Sequence, residues 1–266
     1  MKGTPSPGVS HTDSAPQGIA NRTAVVTGSG SGLGNAVCRM LVDAGSRVLA
    51  IDTDEQAQAA LAQEYEGNDR LRTLTSDIRG RDAIESCRAE LLQTWPSPDL
   101  VVINGGVFKP DVFDIDDDIN WDDLFDVTGR SIVNGVRVFL PDLLAAADDG
   151  GLADLIVIGA IASEADYTDS SVFAAAAAAI SRFMNGVRSR FQKRGLRVAH
   201  IAPGYVDTPE TQAVSSDSAE GNEKAEALRP KDVSDIVRYV LLQPADTSIS
   251  EIVLLTTTPP WEQETS

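Results

Sequence analysis

A short apolar run that ends in a cluster of glycines constrains this chain more than any other stretch. Thr23-Ala24-Val25-Val26-Thr27 has the length and composition of a strand buried on both faces, and Gly28-Ser29-Gly30-Ser31-Gly32-Leu33-Gly34 follows at once. Ala36, Val37, Met40, Leu41 and Ala44 then recur at helical spacing, and Gly45 stands where a C-terminal glycine closes a helix. A strand that turns through glycines into a helix aims the helix's free N–H groups and its dipole at the turn. That arrangement holds a pyrophosphate. Gly28 permits the tight turn, Gly32 lets the backbone approach the phosphates, and Gly34 lets the helix pack closely on the sheet. Thr27, Ser31 and Leu33 complete the candidate loop.

The alternation continues. Ser46–Ile51 reads as a strand ending at Asp52, and a helix follows with Asp54 as its N-cap. Leu71–Thr75 is a third strand, ending near Asp77. Ala83–Trp95 is a helix and Leu100–Ile103 a fourth strand. Then come a helix over Phe125–Leu144, a strand over Leu155–Ile158, and a long Ala-rich helix over Ser171–Arg194, closed by Gly195. Strand Leu196–Ile201, helix Asp232–Leu242 and strand Ile252–Leu255 complete the pattern. Strand and helix in strict alternation imply an α/β fold: one doubly wound Rossmann domain, a seven-stranded parallel sheet with helices on both faces. The expected domain spans residues 21–257, between a disordered Pro/Ser/Gly-rich tail at 1–20 and a C-terminal tail at 258–266. Residues 210–228 are acidic, polar and weakly periodic, and read as a mobile substrate loop or lid.

Composition excludes several functions. A formal charge of −18 repels nucleic acid and anionic membrane, so neither is an expected partner. No apolar run reaches bilayer length, and the N-terminus lacks the apolar core of a signal peptide, so the chain reads as soluble and cytoplasmic. Cys38 and Cys87 are isolated thiols within helical patterns, neither a disulfide framework nor a metal site. The two histidines are His11 in the tail and His200 in a strand, so no His-rich metal site is expected. His200 reads as packing beside the sheet.

Asp52 ends the second strand, where a carboxylate accepts hydrogen bonds from the adenosine ribose and repels a 2′-phosphate. Neither Ser31 nor Thr53 supplies a cation to offset that repulsion, so NAD(H) is favoured over NADP(H). The competing reading makes Asp52 a helix cap.

Together these motifs resemble the short-chain dehydrogenase/reductase family over about residues 22–255. Thr27-Gly28-x-x-x-Gly32-x-Gly34 is similar to its cofactor loop, and Asp77, with Ile78 beside it, to its adenine-contacting Asp. Asn104-Gly105-Gly106 resembles its Asn-Ala-Gly turn, and Pro203-Gly204-Tyr205-Val206-Asp207-Thr208 the segment whose Thr holds the nicotinamide amide. In that family a Tyr hydroxyl exchanges a proton with a carbonyl oxygen and a Lys one turn later lowers the Tyr pKa. A Ser orients the carbonyl and an Asn positions a relay water. Matching Val206-Asp207-Thr208-Pro209 and Leu140-Pro141 puts Thr128 at the Asn position, Ala160 at Ser, Phe173 at Tyr and Ala177 at Lys. No Tyr in the chain has Lys four residues later: Tyr65, Tyr167, Tyr205 and Tyr239 are followed at that spacing by Asp69, Ser171, Pro209 and Gln243.

The resemblance therefore implies a cofactor-binding member without the usual catalytic tetrad, its NAD(H) structural or vestigial. Such a chain would be a non-redox enzyme of cyclase or isomerase type, or a non-catalytic subunit beside an active relative. The alternative is an NAD-dependent alcohol or carbonyl oxidoreductase with substitute residues. Tyr167 and Asp166 lead the substitutes, with Glu164, Asp169, Lys109 and Arg130 nearby. The Ala run suits a helix former that lets a neighbouring helix approach closely. In the family that the chain resembles this helix packs across a subunit interface, so the resemblance implies a homo-dimer or tetramer or a hetero-oligomer.

Overall fold

A computed structural model describes residues 18–30, 32–106, 121–163, 171–209, 211–212 and 227–257. Seven parallel strands form one sheet in the order β3-β2-β1-β4-β5-β6-β7. They are β1 (Thr23–Thr27), β2 (Arg47–Asp52), β3 (Leu71–Thr75), β4 (Leu100–Asn104), β5 (Ala153–Ile158), β6 (Leu196–Pro203) and β7 (Glu251–Leu254). The helices are α1 (Gly32–Asp43), α2 (Glu55–Glu64), α3 (Arg81–Leu92), α4 (Trp121–Phe125), α5 (Ser131–Asp148), α6 (Ser171–Phe191) and α7 (Pro230–Leu241). This is the doubly wound sheet expected from the alternation.

The central strands read as unbroken apolar runs because both faces are covered. Val25, Val101 and Leu155 face the side of α3, α5 and α6, where Phe139, Leu143 and Met184 are fully buried. Ala24, Val26 and Val102 face the other side, against Val37 and Leu41 of α1 and Val233 and Val237 of α7. At the N-terminal ends of β5 and β6, the buried Asp154 carboxylate lies between two guanidiniums, 2.5 Å from Arg22 Nη1 and 2.7 Å from Arg197 Nε.

Several boundaries depart from the sequence reading for local reasons. The tail was expected to reach residue 20, but Ile19 is buried and its carbonyl accepts the Ser46 hydroxyl at 2.7 Å, so this apolar residue joins the α1-side core. Residues 1–17 and 258–266 lie outside the described residues. α7 starts at Pro230, not Asp232, because the Asp232 carboxylate reaches back to the Arg229 N–H at 2.8 Å and caps the helix from its third position. The helix expected over Phe125–Leu144 is interrupted by a π-helical turn, Asp126–Arg130. Asp54 caps α2 as expected, accepting the Gln56 and Ala57 N–H groups. No helix among the described residues is long and apolar enough to cross a membrane.

Candidate functional site

All seven strands point their C-terminal ends the same way, and a cavity of about 650 Å³ opens there. It lies where the order reverses, with β1 and β4 adjacent but separated in sequence by β2 and β3. Ligands of open α/β sheets bind at such a switch point.

The glycine turn forms one wall. Gly28 has φ +64°, and a Cβ there would stand 2.3 Å from the Asn104 carbonyl oxygen. Asn104 holds the turn from β4, donating its side-chain amide to the Gly28 carbonyl at 3.1 Å. Thr27 Oγ1 donates to the Asn104 carbonyl at 3.2 Å, so Thr27 braces the cleft without lining it. Gly34 does likewise: a Cβ there would lie 1.9 Å from the Gly28 carbonyl oxygen. Gly32 opens α1, and Leu33 lines the cavity. Ser31 lies outside the described residues.

Asp52 reaches the cavity from the end of β2. Its Oδ2 accepts the Gly30 N–H at 2.8 Å and its Oδ1 the Asp54 N–H at 2.9 Å. Asp54 caps α2, so Asp52 is not that helix's cap. A Cβ on Gly30 would lie 2.8 Å from the Asp52 carboxyl carbon. Sequence reasoning missed Gly30, because its partner lies 22 residues away on the next strand.

Asp77 and Ile78 line the end of the cavity beside β3. Arg79, which also went unnoticed, folds back on Asp77 with Nη2 2.7 Å from Oδ2, and reaches Asp123 of α4 at 2.9 Å. The hydrogen bond from Arg79 holds the Asp77 carboxyl below its ordinary range. A short i to i+2 pair gives no periodic signal that would have revealed it.

The opposite end joins the four positions singled out by spacing. Thr128, Ala160, Phe173 and Ala177 all line the same cavity. Phe173, Ala177 and Ala162 form an apolar cluster with Ala160 and Ala174 packed on it. Gly105 and Gly106 form the floor, and a Cβ on Gly106 would be 3.7 Å from both Phe173 Cε2 and Thr128 Oγ1. Pro203, Gly204 and Thr208 close the side nearest β6. Thr208 is tied to Thr211, whose hydroxyl accepts the Thr208 N–H at 3.0 Å. Tyr205 and Thr211 also line the cavity, and the Tyr205 hydroxyl donates to the Thr211 carbonyl at 3.3 Å. Neither was identified from sequence as a cavity residue.

The expected lid is described at its ends alone. Leu228 pairs with Val206, and Asp207 N–H donates to the Leu228 carbonyl at 2.8 Å, so the segment returns to the cavity edge. Residues 210 and 213–226 lie outside the described residues, as do the candidate substitutes Tyr167 and Asp166 with Glu164, Asp169 and Lys109. Arg130 pairs with Asp126 at 2.9 Å and is not among the cavity-lining residues. His200 is buried against the cavity-lining Gly159, its Nδ1 3.0 Å from Glu251 Oε1.

The residues fit a dinucleotide. The glycine cradle would be filled by a Cβ at Gly28 or Gly30, and a carboxylate sits at the end of β2 beside it. That combination suits a pyrophosphate and the hydroxyls of an adenosine ribose.

Known proteins resemble this chain in sequence and in fold. The chain is 26% identical to an uncharacterized oxidoreductase of Staphylococcus aureus over 237 residues, covering 89% of this chain and 97% of that one. It is 26% identical over 242 residues to sulfoacetaldehyde reductase 2 of Chromohalobacter salexigens, covering 89% and 95%. The fold matches the crystal structure of a 3-ketoacyl-(acyl-carrier-protein) reductase from Brucella melitensis complexed with NADH. The TM-score is 0.78 at 18% identity, over 90% of this chain and 97% of that one. The family model for short chain dehydrogenases matches residues 22–219, three quarters of the chain, and with the switch-point cavity and its glycine cradle this makes the protein a member of the short-chain dehydrogenase family.

Proposed function

We propose that this protein binds NAD(H) and uses the cavity beside it for something other than carbonyl reduction. It acts either as a non-redox enzyme of cyclase or isomerase type or as a non-catalytic subunit of a hetero-oligomeric dehydrogenase. When bound, nicotinamide supplies or accepts a hydride, and the protein must supply the matching proton. One observation carries the reading: the far wall of the cavity is Phe173, Ala160 and Ala177, whose side chains carry no exchangeable proton. General acid catalysis contributes on the order of 10²–10⁴ in rate, and that contribution is missing at this wall. Gly28, Gly30, Asp52 and Asp77 would hold the dinucleotide.

An oxidoreductase with substitute residues is the second reading. It is favoured by Tyr205, a proton-bearing residue that lines the cavity, and by the oxidoreductase names of the relatives. Calorimetry with NADH, followed by NADH oxidation against a broad carbonyl panel, separates the two. Binding without turnover is expected. Turnover that disappears in Tyr205→Phe, Tyr167→Phe or Asp166→Asn would establish the second reading and end the first. The quadruple variant Thr128→Asn, Ala160→Ser, Phe173→Tyr, Ala177→Lys should gain weak redox activity.

Association with a second subunit, of this chain or of an active relative, is part of the proposal. Trp121, Phe125 and Val133 expose apolar side chains, and Ala175, Ala178 and Ala179 lie on the outer face of α6. Light scattering and co-purification test it, and a monomer at micromolar concentration would remove this part.

A further inference from the structure

We propose that Gln58 is a positioning residue for the adenosine diphosphate half of a dinucleotide. Its buried amide fixes the spacing of the three segments that hold that half, without touching the ligand. The inference rests on the NAD(H)-binding reading and deepens it.

α2 buries two side chains, Gln58 and Leu61. Leu61 joins the apolar core on the α1 side of the sheet. Packing alone asks for an apolar side chain at Gln58 too, on the same face one turn earlier. Gln58 is 2% exposed, and an amide is costly to bury unless its polar atoms find partners. Here they do. Its Oε1 accepts the Ser29 hydroxyl at 3.2 Å, and its Nε2 donates to the Ala50 carbonyl at 3.1 Å and to the Leu74 carbonyl at 2.9 Å.

The three partners belong to three segments that meet at one end of the cavity. Ser29 stands between Gly28 and Gly30 in the glycine turn. Ala50 precedes Asp52 on β2, and Leu74 of β3 leads to Asp77. Gly28, Gly30, Asp52 and Asp77 line the cavity, whereas Ser29 and Gln58 do not. Ser29 is fully buried, its N–H donates to the Ile51 carbonyl at 3.3 Å, and its carbonyl accepts the Asn35 side-chain amide at 3.3 Å. Among the described residues, Gln58 is the one side chain hydrogen-bonded to all three segments. A site locked before the ligand arrives binds more tightly, because less motion is frozen on binding.

The test is calorimetry with ADP-ribose and NADH on the wild type, Gln58→Met, Ser29→Ala and the double variant, well below every melting temperature. ADP-ribose lacks the nicotinamide ring and reports this half alone. Gln58→Met keeps the length of the side chain and removes all three bonds. It should weaken both nucleotides by the same factor, about tenfold. Ser29→Ala removes one bond and should weaken them about threefold. The two act through a shared bond, so the double variant should bind no more weakly than Gln58→Met. Amide exchange in the nucleotide-free protein locates the effect: in Gln58→Met the Gly30 N–H should exchange faster, while that of Val157 on β5 keeps its protection.

A Gln58 that served stability alone would lower the melting temperature and leave both affinities unchanged, and that result overturns the proposal. Effects that multiply in the double variant overturn it as well. Should Gln58→Met fail to fold, Ser29→Ala decides, and an unchanged ADP-ribose affinity overturns the proposal. A wild type that binds neither nucleotide ends the NAD(H) reading and this proposal together. A wild type that binds both, beside variants that bind as tightly, ends this proposal alone.

Discussion

The imidazole of His200 fills the space that a side chain at Gly159 would need: a Cβ on Gly159 would stand 2.3 Å from His200 Nε2. His200 is 1% exposed and held from its other nitrogen by Glu251 at 3.0 Å, so the ring has little room to retreat. Gly159→Ala should therefore destabilise the fold by about 1–3 kcal/mol through overpacking. His200→Ala should relieve that clash, so the double variant should be more stable than the two single losses predict. Urea melts of the four proteins give the coupling, and strictly additive losses would show that the two sites do not compete for this space.

Asp52 should decide cofactor choice. Its carboxylate is already oriented by the Gly30 and Asp54 N–H groups, so it offers its remaining lone pairs without reorganising. Charged hydrogen bonds contribute about 1.5–3 kcal/mol. Asp52→Asn should weaken NADH roughly 10- to 100-fold, and the wild type should reject NADPH. Calorimetry with both nucleotides checks this; a wild type that prefers NADPH would refute the assignment.

Asp154 should be the most sensitive charged position outside the cavity. It is 1% exposed and is the shared partner of Arg22 and Arg197, both 5% exposed. Asp154→Ala would leave two guanidiniums buried without it, and breaking a buried pair costs about 3–5 kcal/mol. Chemical denaturation should show a loss of that size, and a loss below about 1 kcal/mol would mean that water reaches the site.

The Asp77–Arg79 pair predicts an acid-side effect. Arg79 holds the folded-state pKa of Asp77 below its unfolded value, which is about 3.9 for an ordinary Asp. The pair's contribution is thus present above pH 4 and fades as pH falls through the lower, folded-state value. Arg79→Ala should return the Asp77 midpoint to the ordinary range. A carbon-detected carboxyl titration reads it directly, and an unchanged midpoint would assign the shift to another cause.

Much of this fold is written in local pattern. Val25 and Val26 announce a strand covered on both faces, because consecutive apolar residues point to opposite sides of a sheet. Gly28 and Gly34 announce the turn, since one needs positive φ and the other has no room for a Cβ. Asp52 could be placed by counting to the end of β2. Ile19 was lost in a Pro- and Ser-rich context, as one apolar residue carries no period.

What the chain determines by itself, then, is the order of its elements and the faces they bury, because 2.0- and 3.6-residue periodicities act between near neighbours. The tertiary structure alone decided which distant residues compete for one space or share one proton: Gly30 with Asp52, and Gly159 with His200. Those relations depend on strand order and helix approach to within an ångström, and no period in the sequence reports distances between strands.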